Sequence, residues 1–386
     1  MAEVLEPGVV IKPQMDKDQA ISWIWHLYGL KATNVKELNS YDDRNFFFKI
    51  DPDESKIDNE FLSKEDFEHG LNLKVTNSLD SKDLPFNEAQ IGMMLHLHQS
   101  GMEVPVPIKN KNGDFWSLEE LQSEKRNDWK ENNEEKTNSS SKHIVRILKF
   151  VPGQTFYDIK PWTCEQFYDA GVFVAQVDQV LKSFKHPAYD SRNMLWYLTS
   201  IPEVKNFTSA VSNPRNRAMV EAIFDEFAGK VLSKIDQFEA QIIHGDFNEQ
   251  NILVRQAEKG GKFEIFSVID YGDSQKNALV FELGINIMYM MTNSSIDPNL
   301  VGGHVLAGYQ TVRKLPEMEM EALKLCVAAR YAQSLVMGAY SHQQDPTNDY
   351  LLTTAQNGWK ILSEFWSVPQ AELYAKWNEI VKSYQK

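Results

Sequence analysis

Two short polar motifs in the second half of the chain restrict what it can fold into more than any other feature. The first is His244–Asn251 (HGDFNEQN), and the second is Ile269–Asp273 (IDYGD), which follows an apolar segment. An aspartate, an asparagine five positions later and a second aspartate at a strand end are typical of the acidic part of a phosphoryl-transfer site. We therefore predict that Asp246 is the catalytic base and that Asn251 and Asp270 are oxygen ligands of Mg²⁺.

The same residue types are common in tight turns, so a purely structural role for the two motifs is the alternative. Short apolar segments flank the motifs at Gln241–Ile243, Ile252–Val254 and Phe263–Ile269, with a predicted turn at Lys259–Gly261. A tight turn does not require apolar strands on either side. The pattern therefore favours the catalytic interpretation, in which His244 braces the loop and is not itself a catalyst.

Charge and cysteine content limit the partners and the compartment. The formal net charge of −14 disfavours a nucleic-acid partner and permits a cationic small substrate. The only two cysteines, Cys164 and Cys326, lie far apart in apolar segments, so we expect neither a disulfide framework nor a zinc site. No apolar run reaches the length of a membrane span, and the first residues lack a leader pattern. We predict a cytoplasmic protein without a membrane partner.

A hairpin with a polar tip is predicted near the N-terminus. Val35–Ile50 reads as two short strands around a turn, with apolar residues alternating onto one face of the second strand. Backbone amides at the tip and the side chains of Ser40 and Asn45 are candidates for contact with phosphates. An ordinary hairpin turn is the alternative.

Lys74 is the candidate phosphate-binding lysine. Within Leu71–Val75 the apolar residues alternate with polar ones, which places Lys74 on the polar face of a strand. Glu88 lies three residues before Ile91 on a helix predicted from Pro85 to Gly101, so we expect its carboxylate to pair with Lys74. A lysine on an exposed strand face is the alternative.

The chain is predicted to form two lobes. Residues 1–151 are assigned to an N-terminal nucleotide-binding lobe, in which the polar segment 109–142 is expected to be a mobile surface insertion. Ile144–Phe150 reads as a buried strand, and Val151–Gly153 breaks it and is the predicted hinge. Residues 152–386 show mainly helical periodicity and form the predicted catalytic and substrate-binding lobe.

Two lone charges stand in otherwise apolar helical segments. Arg330 suits a substrate carboxylate, and Glu282 or Asp273 suits a substrate ammonium group. The alternative is a structural ion pair within the lobe, and a pair between Glu282 and Arg330 is one form that it could take. Trp196 and Tyr197 are weaker candidates for the wall of an acceptor pocket, since such aromatics more often belong to the core.

With these residues the chain resembles the aminoglycoside phosphotransferase and choline kinase superfamily, which are small-molecule kinases. The resemblance runs from the Ser40 hairpin through the C-terminal lobe and is sharpest in the two motifs. It implies an α+β, protein-kinase-like bilobal fold, with a small antiparallel sheet and one main helix in the N-terminal lobe and a larger, mainly helical C-terminal lobe. Within the superfamily, four further segments are similar to the hydroxylysine kinase branch: Tyr41–Phe46, Leu73–Asn77, Phe281–Glu282 and Ala332–Met337.

The resemblance implies transfer of the γ-phosphate of GTP to the hydroxyl of 5-hydroxy-L-lysine, giving GDP and 5-phosphohydroxy-L-lysine in the cytoplasm. It makes Asp246 the base, Asn251 and Asp270 the Mg²⁺ ligands, and Lys74 with Glu88 the groups that order the phosphates. The preference for GTP over ATP rests on the resemblance alone. Tyr271 departs from the family, which more often has phenylalanine there.

Two other functions remain open. One is an ATP-dependent kinase of another amino alcohol, of the choline, ethanolamine or homoserine type. The other is an inactive nucleotide-binding scaffold. The complete set of predicted catalytic residues argues against a scaffold, whereas only a comparison of substrates separates the two kinases.

Overall fold

The chain divides into two compact units. Of the described residues, the N-terminal unit includes those within 11–99 and 103–152, and the C-terminal unit includes those within 100–102 and 153–385. The computed structural model describes residues 11–40, 42–55, 62–122, 140–257, 261–344 and 355–385.

An antiparallel sheet forms the frame of the N-terminal unit. Its strands are β1 (Ala32–Leu38), β2 (Arg44–Ile50), β3 (Leu71–Val75), β4 (Ser117–Gln122) and β5 (Ser140–Lys149), and its helices are α1 (Lys17–Trp23), α2 (Lys64–His69) and α3 (Leu84–Gln99). Among the described residues the five strands lie in the order β1-β2-β3-β5-β4. One face of the sheet buries Phe46, Phe48 and Leu73 in a core that also contains Ala20 of α1. The predicted hairpin and the predicted strand around Lys74 are confirmed.

The opposite face of the sheet carries a polar row that positions α3. Asn45, Lys74 and Arg146 lie side by side on β2, β3 and β5, and residues directly opposite in an antiparallel pair share a face. The buried guanidinium of Arg146 donates to Asn87 Oδ1 at 2.8 Å and to Gln90 Oε1 at 2.6 Å, both on α3. These two amides define the side of α3 that faces the sheet.

The predicted surface insertion 109–142 is partly wrong. Its residues 117–122 form β4, which pairs with β5 at the edge of the sheet, and Leu121 is buried. Leu118 is 39% exposed and the two residues between the leucines are glutamates, so this edge strand lacks the alternation that reveals a strand in a sequence. Residues 123–139 lie outside the described residues.

Helices dominate the C-terminal unit and surround two small sheets. The strands are β6 (Gln154–Thr155), β7 (Ala240–Ile243), β8 (Ile252–Gln256), β9 (Phe263–Val268) and β10 (Gln275–Ala278). The helices are α4 (Cys164–Leu181), α5 (Ile201–Val204), α6 (Pro214–Lys230), α7 (Leu279–Thr292), α8 (Pro298–Val312), α9 (Glu317–Gln344), α10 (Ala355–Ser367) and α11 (Gln370–Tyr384). None of the described helices combines the length and apolar character needed to cross a membrane.

The two sequence motifs occupy the connections between these small sheets. Within the described residues, the sheets are β6-β8-β9 and β7-β10, both antiparallel. The first motif joins β7 to β8, and the second joins β9 to β10. Lys259 and Gly260 of the turn predicted between β8 and β9 lie outside the described residues. An antiparallel sheet in one unit and a mainly helical second unit confirm the predicted α+β fold.

A buried carboxyl group links two helices of the C-terminal unit. Asp178 of α4 is 2% exposed, and its Oδ2 accepts a hydrogen bond of 2.9 Å from the Tyr309 hydroxyl on α8. Its Oδ1 atom has no hydrogen-bond partner. Burial raises the pKa of Asp178 to about 8.

Stability should therefore fall as pH rises between about 4 and about 8, because the folded chain retains a proton on Asp178 that the unfolded chain has released. The Asp178→Asn variant mimics the protonated carboxyl group, so we expect it to lose less stability than the wild type across this range. Thermal denaturation at pH 5, 7 and 9 measures the difference. The exposed-residue variant Asp236→Asn is the control. If stability changed with pH equally in Asp178→Asn and in the wild type, the raised pKa of Asp178 would be contradicted.

Candidate active site

A close backbone approach brings the two motifs together. Gly245 lies in the loop between β7 and β8, which we call the catalytic loop (His244–Asn251), and has a φ of 82°. A Cβ atom at this position would lie 2.3 Å from the carbonyl oxygen of Asp273. Only glycine permits both the positive φ and this contact, so Gly245 allows the catalytic loop to pack against the second motif.

Asp246 is held from both sides of its carboxylate. Its Oδ2 accepts hydrogen bonds from Asn248 Nδ2 at 2.7 Å and Asn251 Nδ2 at 2.9 Å, and its Oδ1 lies 3.2 Å from Nη2 of Arg330. The side chain is 18% exposed. Burial raises the pKa of Asp246, and the Arg330 guanidinium acts in the opposite direction. The result is a carboxylate with a fixed orientation and limited contact with water.

His244 braces the catalytic loop, as the sequence predicts. Its Nε2 lies 3.1 Å from the carbonyl oxygen of Ile269, and its Nδ1 lies 3.3 Å from the backbone nitrogen of Asp246. The carbonyl can only accept, so Nε2 carries the proton and Nδ1 accepts from the Asp246 amide. Burial lowers the pKa of His244 to about 4, which keeps the ring neutral in this role. The ring thus links Asp246 to Ile269, the residue before Asp270.

Asn251 and Asp270 lie on adjacent backbone segments. The Ile269 amide donates to the Asn251 carbonyl at 2.9 Å, and the Asn251 side-chain nitrogen donates to the backbone and side chain of Asp246. Those donor contacts direct the amide nitrogen of Asn251 toward Asp246. Asp270 is exposed and has a φ of 62°, an uncommon conformation that occurs preferentially at functional sites.

The oxygen atoms of Asn251 and Asp270 suit the site predicted for Mg²⁺. One carboxylate and one amide oxygen are hard ligands, and Mg²⁺ commonly completes its shell with water and substrate phosphates. Among the described residues, no group of three or more His, Cys, Asp or Glu side chains could hold a metal ion. The predicted Mg²⁺ site is compatible with that finding, because Asp270 is its only ligand of these four residue types and its other predicted ligand is Asn251.

A row of polar side chains on α7 and just beyond it supports the catalytic loop. These residues, which we call the α7 polar row, are spaced by four, three and four positions, so they share one face of the helix: Glu282, Asn286, Tyr289 and Asn293. Asn286 Nδ2 donates to the Phe247 carbonyl at 3.0 Å, and Asn293 Nδ2 donates to Glu249 Oε1 at 3.0 Å. The sequence interpretation recognised only Glu282 of this row.

The predicted contact of Glu282 with a substrate ammonium group is wrong. Glu282 is 0% exposed, and its carboxylate accepts hydrogen bonds from the backbone N–H groups of His244 and Gly245. Burial raises the pKa of Glu282 well above its usual range, and the nearby Asp178 adds to the shift. Its helix face points into the unit, so Glu282 fixes the start of the catalytic loop. For Arg330 the alternative of an ion pair within the lobe agrees with the structure, but its partner is Asp246 and not Glu282.

Arg330 is also placed differently from its prediction. It is 1% exposed and lies between two aromatic rings, with its guanidinium carbon 5.2 Å from the Trp196 ring centre and 5.6 Å from that of Tyr289. Its terminal nitrogens donate to four protein acceptors: the Trp196 carbonyl, Gln333 Oε1, the Tyr289 hydroxyl and Asp246 Oδ1. A substrate carboxylate would need these same N–H groups, because the remaining donor, Nε–H, is buried and has no partner within the described part of the chain. The structure therefore contradicts the predicted contact with a substrate carboxylate.

Asp273 lies near this cluster and remains the candidate for a substrate ammonium group. Its side chain is half-buried, and its charge contributes to the raised pKa values of Arg330 and Tyr197.

Two further residues of the catalytic loop, Asn248 and Glu249, were not predicted from the sequence. Asn248 donates to Asp246 and also accepts from the backbone amides of Gln250 and Asn251, which closes the turn. Glu249 is buried behind the loop, and burial raises its pKa to about 7. Asn248 lies two residues after Asp246, and this short spacing was a local signal for their hydrogen bond. The position of Glu249 depends on the distant Asn293 and gave no such signal.

In the N-terminal unit, the partner predicted for Lys74 is wrong. Lys74 Nζ lies 2.8 Å from Asp43 Oδ2, and Asp43 Oδ1 accepts from the backbone and side-chain nitrogens of Asn77 at 2.8 and 3.1 Å. Glu88 is exposed and accepts a hydrogen bond from the Trp116 indole. The helix turns by about 100° per residue, so a helix that directs Asn87 toward the sheet directs Glu88 away from it.

Ser40 and Asn45 have partners within the hairpin and the sheet. The Ser40 hydroxyl donates to the Asp43 carbonyl, and Asn45 Oδ1 accepts from Asn72 Nδ2 at 3.4 Å. Tyr41, at the tip, lies outside the described residues. These bonds agree with the hairpin-turn alternative, and contact with phosphates remains a prediction for both residues.

Comparison with known proteins decides the family. Residues 42–318 match the model of the phosphotransferase enzyme family. The chain belongs to this family. It is 32% identical over 383 residues to hydroxylysine kinase of Mus musculus, covering 97% of this chain and 95% of that protein. The predicted resemblance to hydroxylysine kinase is confirmed.

Solved structures share the fold at low sequence identity. The microcompartment-associated aminopropanol kinase superposes with a TM-score of 0.64 at 17% identity, covering 91% of this chain and 98% of that one. An amicoumacin kinase in complex with AMP-PNP and Ca²⁺ gives 0.63 at 14% identity, covering 93% and 97%. As a member of the phosphotransferase enzyme family, the protein is a small-molecule phosphotransferase that acts on an alcohol group.

Tyr271 is accommodated within the second motif. Its ring is buried, and its hydroxyl donates to the Val268 carbonyl at 3.1 Å. The extra polar atom relative to phenylalanine is therefore satisfied within the same turn.

Proposed function

We propose that this phosphotransferase transfers the γ-phosphate of GTP to the hydroxyl of 5-hydroxy-L-lysine, giving GDP and 5-phosphohydroxy-L-lysine. The observation that carries the proposal is the Asp246 carboxylate, which is fixed by Asn248, Asn251 and Arg330 in a loop that the rest of the unit supports. The substrate is inferred from similarity to hydroxylysine kinases along nearly the whole chain.

In the proposed reaction, Asp246 accepts the proton of the substrate hydroxyl while the hydroxyl oxygen forms a bond to the γ-phosphorus. The bond from that phosphorus to the bridging oxygen breaks, and GDP leaves with the electron pair. Asn251 and Asp270 would hold Mg²⁺, which would neutralise phosphate charge when bound. We propose that Lys74 binds the phosphates within residues 1–151, and that residues 152–386 supply the base and the acceptor site.

The charge of the site region supports a cationic acceptor. 5-Hydroxy-L-lysine carries two ammonium groups and one carboxylate, and Asp273 is the candidate for one ammonium group. The net charge of −14 adds a long-range attraction for a cation. We also propose a cytoplasmic setting, because the two cysteines are unpaired, as is usual for proteins of reducing compartments.

One observation favours a second candidate, an ATP-dependent kinase of another amino alcohol. The terminal N–H groups of Arg330 are engaged by protein acceptors, so this arginine offers no bidentate site for a carboxylate. Choline and ethanolamine lack a carboxylate and would not need one. An inactive scaffold is less well supported, because the acidic residues required for phosphoryl transfer are all present.

A nucleotide-release assay separates these candidates. We expect GDP release with GTP, Mg²⁺ and 5-hydroxy-L-lysine, and its loss after EDTA treatment, because the phosphates then lack their counter-charge. L-Lysine is the matched control, since it differs only in lacking the hydroxyl. Parallel reactions use ATP and a panel of choline, ethanolamine and homoserine. Turnover of one of these instead would replace the proposed substrate, and no turnover despite nucleotide binding would indicate a scaffold.

A further inference from the structure

We propose that Arg330 is a positioning residue that fixes the orientation of the Asp246 carboxylate from outside the catalytic loop. The proposal rests on the role of Asp246 as the base in the proposed function. It replaces the role in substrate binding that the sequence suggested for Arg330.

The guanidinium of Arg330 is itself rigidly held. Nη1 donates to the Trp196 carbonyl at 2.8 Å and to Gln333 Oε1 at 3.1 Å, and Nη2 donates to the Tyr289 hydroxyl at 3.2 Å. The Gln333 amide nitrogen in turn donates to the carbonyls on either side of Trp196, at 2.7 and 3.1 Å. With its position set by α7, α9 and the segment at Trp196, the guanidinium has little freedom to move.

The remaining N–H of Nη2 points to the base. Asp246 Oδ1 lies 3.2 Å from it, whereas Oδ2 is held by two amides of the catalytic loop. The plane of the carboxylate therefore depends on two independent supports, one within the loop and one on α9. Arg330 is 1% exposed and its terminal donors are used, so it acts through Asp246 and not by touching the acceptor.

The test compares Arg330→Ala and Arg330→Lys with Arg217→Ala, which removes a guanidinium that donates to the carbonyls of Ser209 and Val211. Each protein is assayed with 5-hydroxy-L-lysine and with its decarboxylated analogue, 1,5-diamino-2-hydroxypentane. For Arg330→Ala we expect kcat to fall about 10²-fold with both acceptors while both KM values stay near those of the wild type. Guanidinium chloride at low concentration should restore part of kcat, and Arg217→Ala should behave like the wild type.

A rise in KM for 5-hydroxy-L-lysine alone, with normal turnover of the analogue, would overturn the proposal and make Arg330 a carboxylate ligand. Unchanged kcat in Arg330→Ala would also overturn it. If Arg330→Ala does not fold, Arg330→Lys is the deciding variant, because lysine keeps the positive charge but lacks the planar guanidinium with its paired N–H donors. A lowered kcat at unchanged KM in Arg330→Lys would support the positioning role, and a wild-type kcat would refute it.

The slow Mg²⁺-dependent hydrolysis of GTP by water separates this proposal from the proposed function. It needs no amino-acid acceptor, and we expect it to fall in the Arg330 variants as well. If the wild type hydrolyses GTP but does not phosphorylate 5-hydroxy-L-lysine, the proposed substrate is wrong. The hydrolysis rates then test Arg330 by themselves, and equal rates in the wild type and the variants would refute its role.

Discussion

Replacing Asp246 by asparagine is expected to lower kcat by about 10²- to 10⁴-fold while nucleotide affinity stays close to that of the wild type. Asparagine has nearly the same shape and retains an oxygen that can accept from Arg330. It cannot take the proton of the substrate hydroxyl at neutral pH. Steady-state kinetics and nucleotide titration measure the two effects separately.

The control for this variant is Asp225→Asn, which changes an exposed aspartate paired with Lys205 on the surface. It should leave both kcat and nucleotide affinity unchanged. Near-normal kcat in Asp246→Asn would exclude Asp246 as the base and would direct attention to Glu249, the other buried carboxyl group of the catalytic loop.

Lys74→Met should lower kcat/KM for the nucleotide by about 10²- to 10³-fold, a loss typical of removing one preorganised charge or donor from a phosphoryl-transfer site. Methionine has a similar length and leaves the sheet packing nearly intact. Asp43→Asn should give a smaller loss, because Asn77 still anchors the side chain while Lys74 loses its counter-charge. Kinetics with varied GTP measure both variants.

Glu88→Gln is the matched comparison for the same experiment. The structure pairs Lys74 with Asp43 and leaves Glu88 exposed on the far side of α3, so this change should have little effect. A loss in Glu88→Gln as large as that in Lys74→Met would restore the helix glutamate as the functional partner of the lysine.

The strands and the contacts within the catalytic loop were predictable because their signals are local. The period-two alternation at Phe46 and Phe48 appears in the printed sequence and is the alternation that the sheet buries. Likewise, the spacing of Asp246 and Asn251 is a property of one loop, and their mutual hydrogen bond follows from that spacing.

Contacts between distant segments were not predictable in the same way. Arg330 reaches Asp246 across 84 positions of sequence, and a lone arginine in an apolar helix fits a buried brace as well as a ligand-binding group. The prediction for Glu88 was wrong because of its angle around the helix axis. Glu88 and Ile91 are three positions apart, so they differ by about 60° around the helix, enough to separate an exposed residue from a buried one.

The α7 polar row has a further consequence for how this part of the chain can change in evolution. Glu282, Asn286 and Asn293 of this row bind successive parts of the catalytic loop, so their spacing along the helix fixes how the loop is aligned. One residue inserted after Asn286 would rotate Asn293 by about 100° and shift it by about 1.5 Å along the axis. Apolar residues between the contacts can exchange for one another, but the number of residues between Glu282 and Asn293 is fixed by the loop.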